Sequence, residues 1–136
     1  MSLDDSVTEI IIDNGVGDSN FTVLDMSRFT RLRKLEIGDH CMSYVTTVKI
    51  NWLDELESVV IGKNSFTKCK NEVEITSDPN RRFELKNCPK LKSLKIGSYS
   101  FSDYSMAVIE SNTALEGIEM GDRVFVYASL IMKSEE

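Results

Sequence analysis

Leu91-Lys-Ser-Leu-Lys-Ile-Gly-Ser-Tyr-Ser-Phe101 is the stretch whose reading decides the fold. Large apolar residues stand at its first, fourth and sixth positions, a glycine follows, and a phenylalanine comes four residues later. The arrangement returns along the chain as Val7-Thr-Glu-Ile-Ile-Ile12, Leu32-Arg-Lys-Leu-Glu-Ile-Gly38, Leu56-Glu-Ser-Val-Val-Ile-Gly62 and Leu115-Glu-Gly-Ile-Glu-Met-Gly121. The units start at residues 7, 32, 56, 91 and 115, in steps of 25, 24, 35 and 24. Phe66, Phe101 and Phe125 share one place in the period, with Met42 standing there in the second unit. A fixed period of this length is the signature of a stacked repeat, in which no unit can bury its own apolar face.

A second apolar alternation precedes each new motif: Val23/Met26, Val48/Ile50, Phe83/Leu85, Val108/Ile109 and Leu130/Met132. Alternation of period two reads as a strand. The residues between, such as Gly97 to Ser105, are too short and too rich in Ser, Asp and Gly for a helix. Each unit is therefore expected to be one coil of a mostly β solenoid of about five coils, with a longer strand on one face and a shorter one on the other. The whole of residues 1–136 forms a single domain. Gly38, Gly62, Gly97 and Gly121 are expected to let the chain leave each strand through a tight or positive-φ turn.

The L-x-x-L-x-L strands resemble those of leucine-rich repeat proteins, and Leu56-x-x-Val59-x-Ile61-x-x-Asn64 matches even their usual asparagine. His40, Tyr99 and Arg123 stand at that place in other units, a departure from the asparagine ladder. Ser65-Phe66-x-x-Cys69, with Ser100-Phe101, is similar to the BspA-like branch found on bacterial and protist surfaces. The resemblance implies a right-handed solenoid whose motif strands line a concave face. It implies nothing about activity.

The step of 35 places an insertion after Phe66. Val73/Ile75, then Ser77-Asp-Pro-Asn80, then Phe83/Leu85 read as a hairpin over about 71–85, with Pro79–Arg82 dispensable to the fold. Insertions in solenoids go to loops and often mark a binding face, so Asp78, Asn80, Arg81 and Arg82 are candidate contacts.

The residue after each first leucine runs Thr8, Arg33, Glu57, Lys92, Glu116, and the one before it runs Ser6, Arg31, Glu55, Lys90, Ala114. Both columns alternate in sign, so neighbouring coils are expected to pair opposite charges across about 4.8 Å. Arg33, Lys34, Glu36, Glu57, Val60, Lys92, Lys95, Glu116 and Glu119, with Ile11 exposed beside them, make the candidate partner-binding face.

A net charge of −6 with a pI near 4.9 opposes binding to phosphate backbones or anionic membranes. No apolar run approaches the length of a membrane span. The acidic opening MSLDDSVTEI lacks the blocks of a secretory signal, which with the odd cysteine count favours the cytoplasm. A chain trimmed from a longer protein would fit the cell surface instead. Cys41, Cys69 and Cys88, with His40 as the sole histidine, lack the paired spacing of a structural zinc site. They are expected as reduced, small hydrophobes, and a Cys69–Cys88 bridge stays open for an extracellular protein. Asp13-Asn-Gly-Val-Gly-Asp-Ser-Asn20 has the oxygen ligands of a calcium loop but not the spacing, and reads as a connection. His40 and Cys41 are adjacent and point apart, which no nucleophile–base pair does. No cofactor and no catalysis are expected. The expected function is a non-catalytic protein-interaction module. The alternatives are a structural segment of a longer repeat protein, with end-to-end self-association, or a carbohydrate or small-ligand binder using Trp52, Tyr99 and Tyr104.

Overall fold

In the computed structural model, residues 6–68 and 78–133 are described. The five motifs become β1 (Glu9–Ile12), β3 (Lys34–Ile37), β5 (Ser58–Ile61), β7 (Ser93–Ile96) and β9 (Gly117–Met120), which pair in that order as one parallel sheet. The second alternations become β2 (Val23–Asp25), β4 (Thr47–Asn51), β6 (Asp78–Lys86), β8 (Tyr104–Glu110) and β10 (Ser129–Lys133), the second parallel sheet. The chain winds through both sheets five times as a β-solenoid, with no helix among the described residues. Register follows the sequence motif: Ile10, Leu35, Val59, Leu94 and Ile118 are successive partners, as are Ile12, Ile37, Ile61, Ile96 and Met120. In the three inner coils both columns are almost fully buried. Burying each such side chain contributes on the order of 1.5–3 kcal/mol.

Each coil has a longer and a shorter strand, but from the second coil onward the longer one belongs to the second sheet. The motif strands are uniformly four residues, whereas β6 and β8 reach nine and seven. The inward column of that sheet is Leu24, Val48, Phe83, Ala107 and Leu130. Val23 is half-exposed, and Leu24 takes the core place the alternation gave to Val23; in β8 Val108 and Ile109 are buried as expected, and Ala107 is buried with them. A strand's face is decided by its partners' register, and one residue of slip exchanges the two faces.

The corners show why the period carries glycine. None of Gly38, Gly62, Gly97 and Gly121 has a left-handed φ, so the expected positive-φ role is wrong. Each packs on the backbone of the coil before it: a Cβ on Gly97 would lie 2.5 Å from the Lys63 nitrogen and 2.6 Å from the Gly62 carbonyl carbon. Left-handed backbone falls instead on His40, Asn64, Tyr99 and Arg123, and again two residues later on Met42, Phe66, Phe101 and Phe125. In the first coil these two places are held by Gly15 (φ 77°) and Gly17 (φ 128°), which explains the glycine-rich loop without any cation. The missing asparagine ladder is replaced by backbone: the N–H groups of Gly15, His40, Asn64 and Tyr99 donate to Asp39, Lys63, Ser98 and Asp122 carbonyls of the next coil at 2.8–3.0 Å.

Phe66 stacks on Phe101 at 4.6 Å between ring centroids, and Phe101 on Phe125 at 4.9 Å. Beside this stack, two buried hydroxyls tie coils together. Ser65 Oγ donates to the Gly38 carbonyl (2.8 Å) and accepts from the Cys41 N–H (3.1 Å); Ser100 Oγ donates to Gly62 (2.5 Å) and accepts from Ser65 N–H (3.0 Å). Replacing Ser65 by Ala strands one donor and one acceptor in the core. The expected loss is about 2 kcal/mol in a denaturant melt, and a midpoint equal to wild type would refute the bridging role.

Cys41 and Cys88 are buried and free, their thiols facing the carbonyls of Asp13 (3.1 Å) and Ile50 (3.6 Å). Burial pushes the Cys88 thiol up to about 11, so it is not a reactive thiolate. Cys69 lies outside the described residues. So does the first arm of the expected hairpin, Val73/Ile75. The expected turn at Asp78, Pro79 and Asn80 is wrong: all three belong to β6. Its turn chemistry survives locally, since Asn80 N–H donates to Asp78 Oδ1 (2.9 Å) where the register shifts between Asp78 and Arg82.

Candidate functional site

All nine residues expected on the motif face gather there. Lys34, Glu36, Val60 and Lys95 alternate with buried residues on their strands, and Glu119 holds the same place on the more exposed β9. Arg33, Glu57, Lys92 and Glu116 stand just before the strands, and backbone bonds carry the ladder across them, from Arg33 N–H to Thr8 and on to Glu116 N–H to Lys92 (2.7–3.0 Å). Three opposite-charge pairs join neighbouring coils: Arg33–Glu57 at 3.1 Å, Lys90–Glu55 at 2.9 Å and Lys95–Glu119 at 3.4 Å. All are about half-exposed or more, so each contributes no more than a few tenths of a kcal/mol. Lys34 pairs within its own strand, with Glu36 at 3.6 Å.

Beside this face the glycine corners open a shallow groove along the stack, in two adjoining parts of about 560 and 620 Å³ that share Asp39, Val60 and Gly62. Gly38, Gly62, Gly97 and Gly121 form its floor, because no side chain fits there. Ile11, Glu36, Val60, Lys95 and Glu119 make one wall, and Asn14, Asp39, Lys63 and Ser98 the other. That second wall is rigidified from within. Asn14 Oδ1 accepts from Asp39 N–H (2.7 Å), Asp39 Oδ1 from Lys63 N–H (2.9 Å) and Ser98 Oγ from Asp122 N–H (3.0 Å). It escaped the sequence reading, although a polar residue directly after each repeat glycine signals it.

The four insertion candidates lie on the second sheet, apart from this face, and one of them is misassigned. Arg81 is 1% exposed and cannot meet a partner. Its Nη2 donates to the Ser43 carbonyl (3.0 Å) and its Nε to Asp78 Oδ2 (3.2 Å); Asp103 Oδ2 is 3.8 Å away and the Tyr104 ring lies beneath the guanidinium. Tyr104 is itself fully buried, donating to the Val45 carbonyl at 2.6 Å, and burial raises its phenol. Arg82 pairs with Glu84 at 2.7 Å. Burial opposes the Glu84 charge, but the Asn51 hydrogen bond with Lys86, Arg82 and Lys49 outweighs it and holds the carboxyl below its usual range. Asn80 is exposed.

The three aromatics considered for a sugar do not converge. Trp52 is exposed at the corner after β4, Tyr99 lies at the corner after β7 and Tyr104 is in the core. Among the described residues no group of three or more His, Cys, Asp or Glu side chains is placed to hold a metal ion, and no helix is long and apolar enough to cross a membrane. No family model, curated protein or solved structure matches the chain.

Proposed function

We propose that the protein is a non-catalytic interaction module of the leucine-rich-repeat kind, holding a segment of a protein partner along the motif face. The observation that carries this reading is the groove itself. A glycine-floored channel crosses four coils between two walls of mixed charge, with the apolar Val60 at its middle. Such a channel offers half-exposed apolar surface between polar and charged side chains to an extended chain, which suits peptide contact. The alternating charges fix register and supply specificity more than affinity.

The test is partner recovery with matched variants. Val60→Arg and Glu57→Lys are expected to lose the protein recovered with the wild-type chain, with melting unchanged to within about 0.5 kcal/mol because both sites are on the surface. Recovery unaffected by both variants would overturn the assignment of this face. A structural role in a repeat array is the second reading. It is favoured by the apolar residues left exposed on the fifth coil, Ile118, Leu130 and Met132.

A further inference from the structure

The groove beside the motif face is polarised along its length. Its first part is lined by Asp13, Glu36 and Asp39, with no cation among its residues. Its second part brings in Lys63 and Lys95, one from each wall. The period of the sequence places these charges. Asp13 stands where later coils carry the floor glycine, and Asp39 and Lys63 directly follow Gly38 and Gly62. Val60, half-buried, belongs to both parts and marks the boundary between them.

Little of this charge is neutralised within the chain. Among the described residues Asp13, Asp39 and Lys63 enter no ion pair. Glu36 has Lys34 at 3.6 Å and Lys95 has Glu119 at 3.4 Å. Both pairs are well exposed, so each side chain can turn to a new partner at little cost. Opposite charges held apart on one floor favour a ligand with the inverse pattern and reject a uniform one. A polyanion would meet Asp13, Glu36 and Asp39, and a polycation would meet Lys63 and Lys95. A polypeptide carries a cation, an apolar group and a carboxylate along one thread.

The spacing narrows the choice further. Neighbouring coils lie about 4.8 Å apart, so the acidic centre at the first two coils and the basic centre at the third and fourth are roughly 10 Å apart. A polyproline-II chain repeats its side-chain direction every third residue, at about 9.3 Å. A β-strand does so every second residue, at about 6.7 Å, and misses that distance. Resting on the reading of this groove as a peptide channel, we propose that its occupant is a partner segment in polyproline-II form. It carries a basic and an acidic residue three apart, with an apolar residue between them. The basic side chain lies among Asp13, Glu36 and Asp39, the apolar one on Val60, and the carboxylate between Lys63 and Lys95.

The experiment follows amide shifts of the ¹⁵N-labelled chain with the capped peptides Pro-Arg-Pro-Leu-Glu-Pro and Pro-Glu-Pro-Leu-Arg-Pro, which offer both charge orders. One of the two is expected to give saturable changes at Gly38, Asp39, Val60, Lys63 and Gly97 in the millimolar range. Pro-Glu-Pro-Leu-Glu-Pro and Pro-Arg-Pro-Leu-Arg-Pro should bind about fivefold more weakly, since an exposed attraction becomes a repulsion. Lys63→Glu with Lys95→Glu should invert the preference, taking the diarginine peptide about fivefold more tightly than the mixed one. Both lysines are exposed, so the melting midpoint should not move. Equal changes from all four peptides would keep the channel and overturn its polarity. No change from any of them would overturn the proposal, while the channel itself is judged by partner recovery with Val60→Arg. Changes at the same amides on concentrating the chain alone would assign the groove to a second copy and overturn it as well.

Discussion

Gly97→Ala is expected to destabilise the protein by about 3 kcal/mol, at the upper end of the usual range for an overpacked site. The added methyl would stand 2.5–2.8 Å from backbone atoms of Gly62 and Lys63, none of which can rotate away. Relief requires the third and fourth coils to part, which opens the Phe66–Phe101 stack and lengthens the Gly97 N–H bond to Ile61. The matched control is Gly117→Ala. That residue has nothing within 4 Å of its would-be Cβ, so the alanine only restricts the unfolded chain and should gain about 0.4–1 kcal/mol. Urea melts of both variants decide the matter. Equal effects of either sign would show that the glycine column is not set by contact between coils.

Arg81→Met is expected to cost about 3–5 kcal/mol, the loss that follows removal of one partner from a buried ion pair. The Asp103 side chain is 4% exposed, and its Oδ1 has no hydrogen-bond partner among the described residues. Without the guanidinium its carboxylate keeps, among the described residues, the Lys68 N–H at 3.2 Å. Adding Asp103→Asn to Arg81→Met should therefore recover part of the loss. A coupling of at least about 1 kcal/mol between the two sites is the expected result of the double-mutant cycle. Additive losses would show that Arg81 acts through Asp78 and its bonds to the Ser43 and Val45 carbonyls (3.0 and 3.4 Å), not through Asp103. This result bears on Pro79–Arg82, read from the sequence as a removable turn. Deleting it removes the buried Arg81 with the first part of β6 and should abolish folding.

Prominent features of the chain were legible before any coordinates because they repeat. Leu35, Val59 and Leu94 had to stack because no single coil can cover them, and Arg33 with Glu57 had to face one another because the same period carried both. Where the signal occurs once, local grammar misled. Ser77-Asp-Pro-Asn80 carries the residues of a turn, and Arg81 those of a solvated surface. Asp78 to Asn80 extend β6 instead, and the carboxylates of Asp78 and Asp103 hold Arg81 inward.

The sequence by itself determined the number of coils, the order of their strands, the apolar columns and the charged face, since all follow from one period of apolar residues. Tertiary structure alone decided three things: that the glycines are there for lack of room and not for their φ, that Leu24 faces inward in place of Val23, and that Arg81 is a core residue. Each depends on how close one coil lies to the next or which partner it finds there, and a distance between coils is not written in the spacing along any one of them.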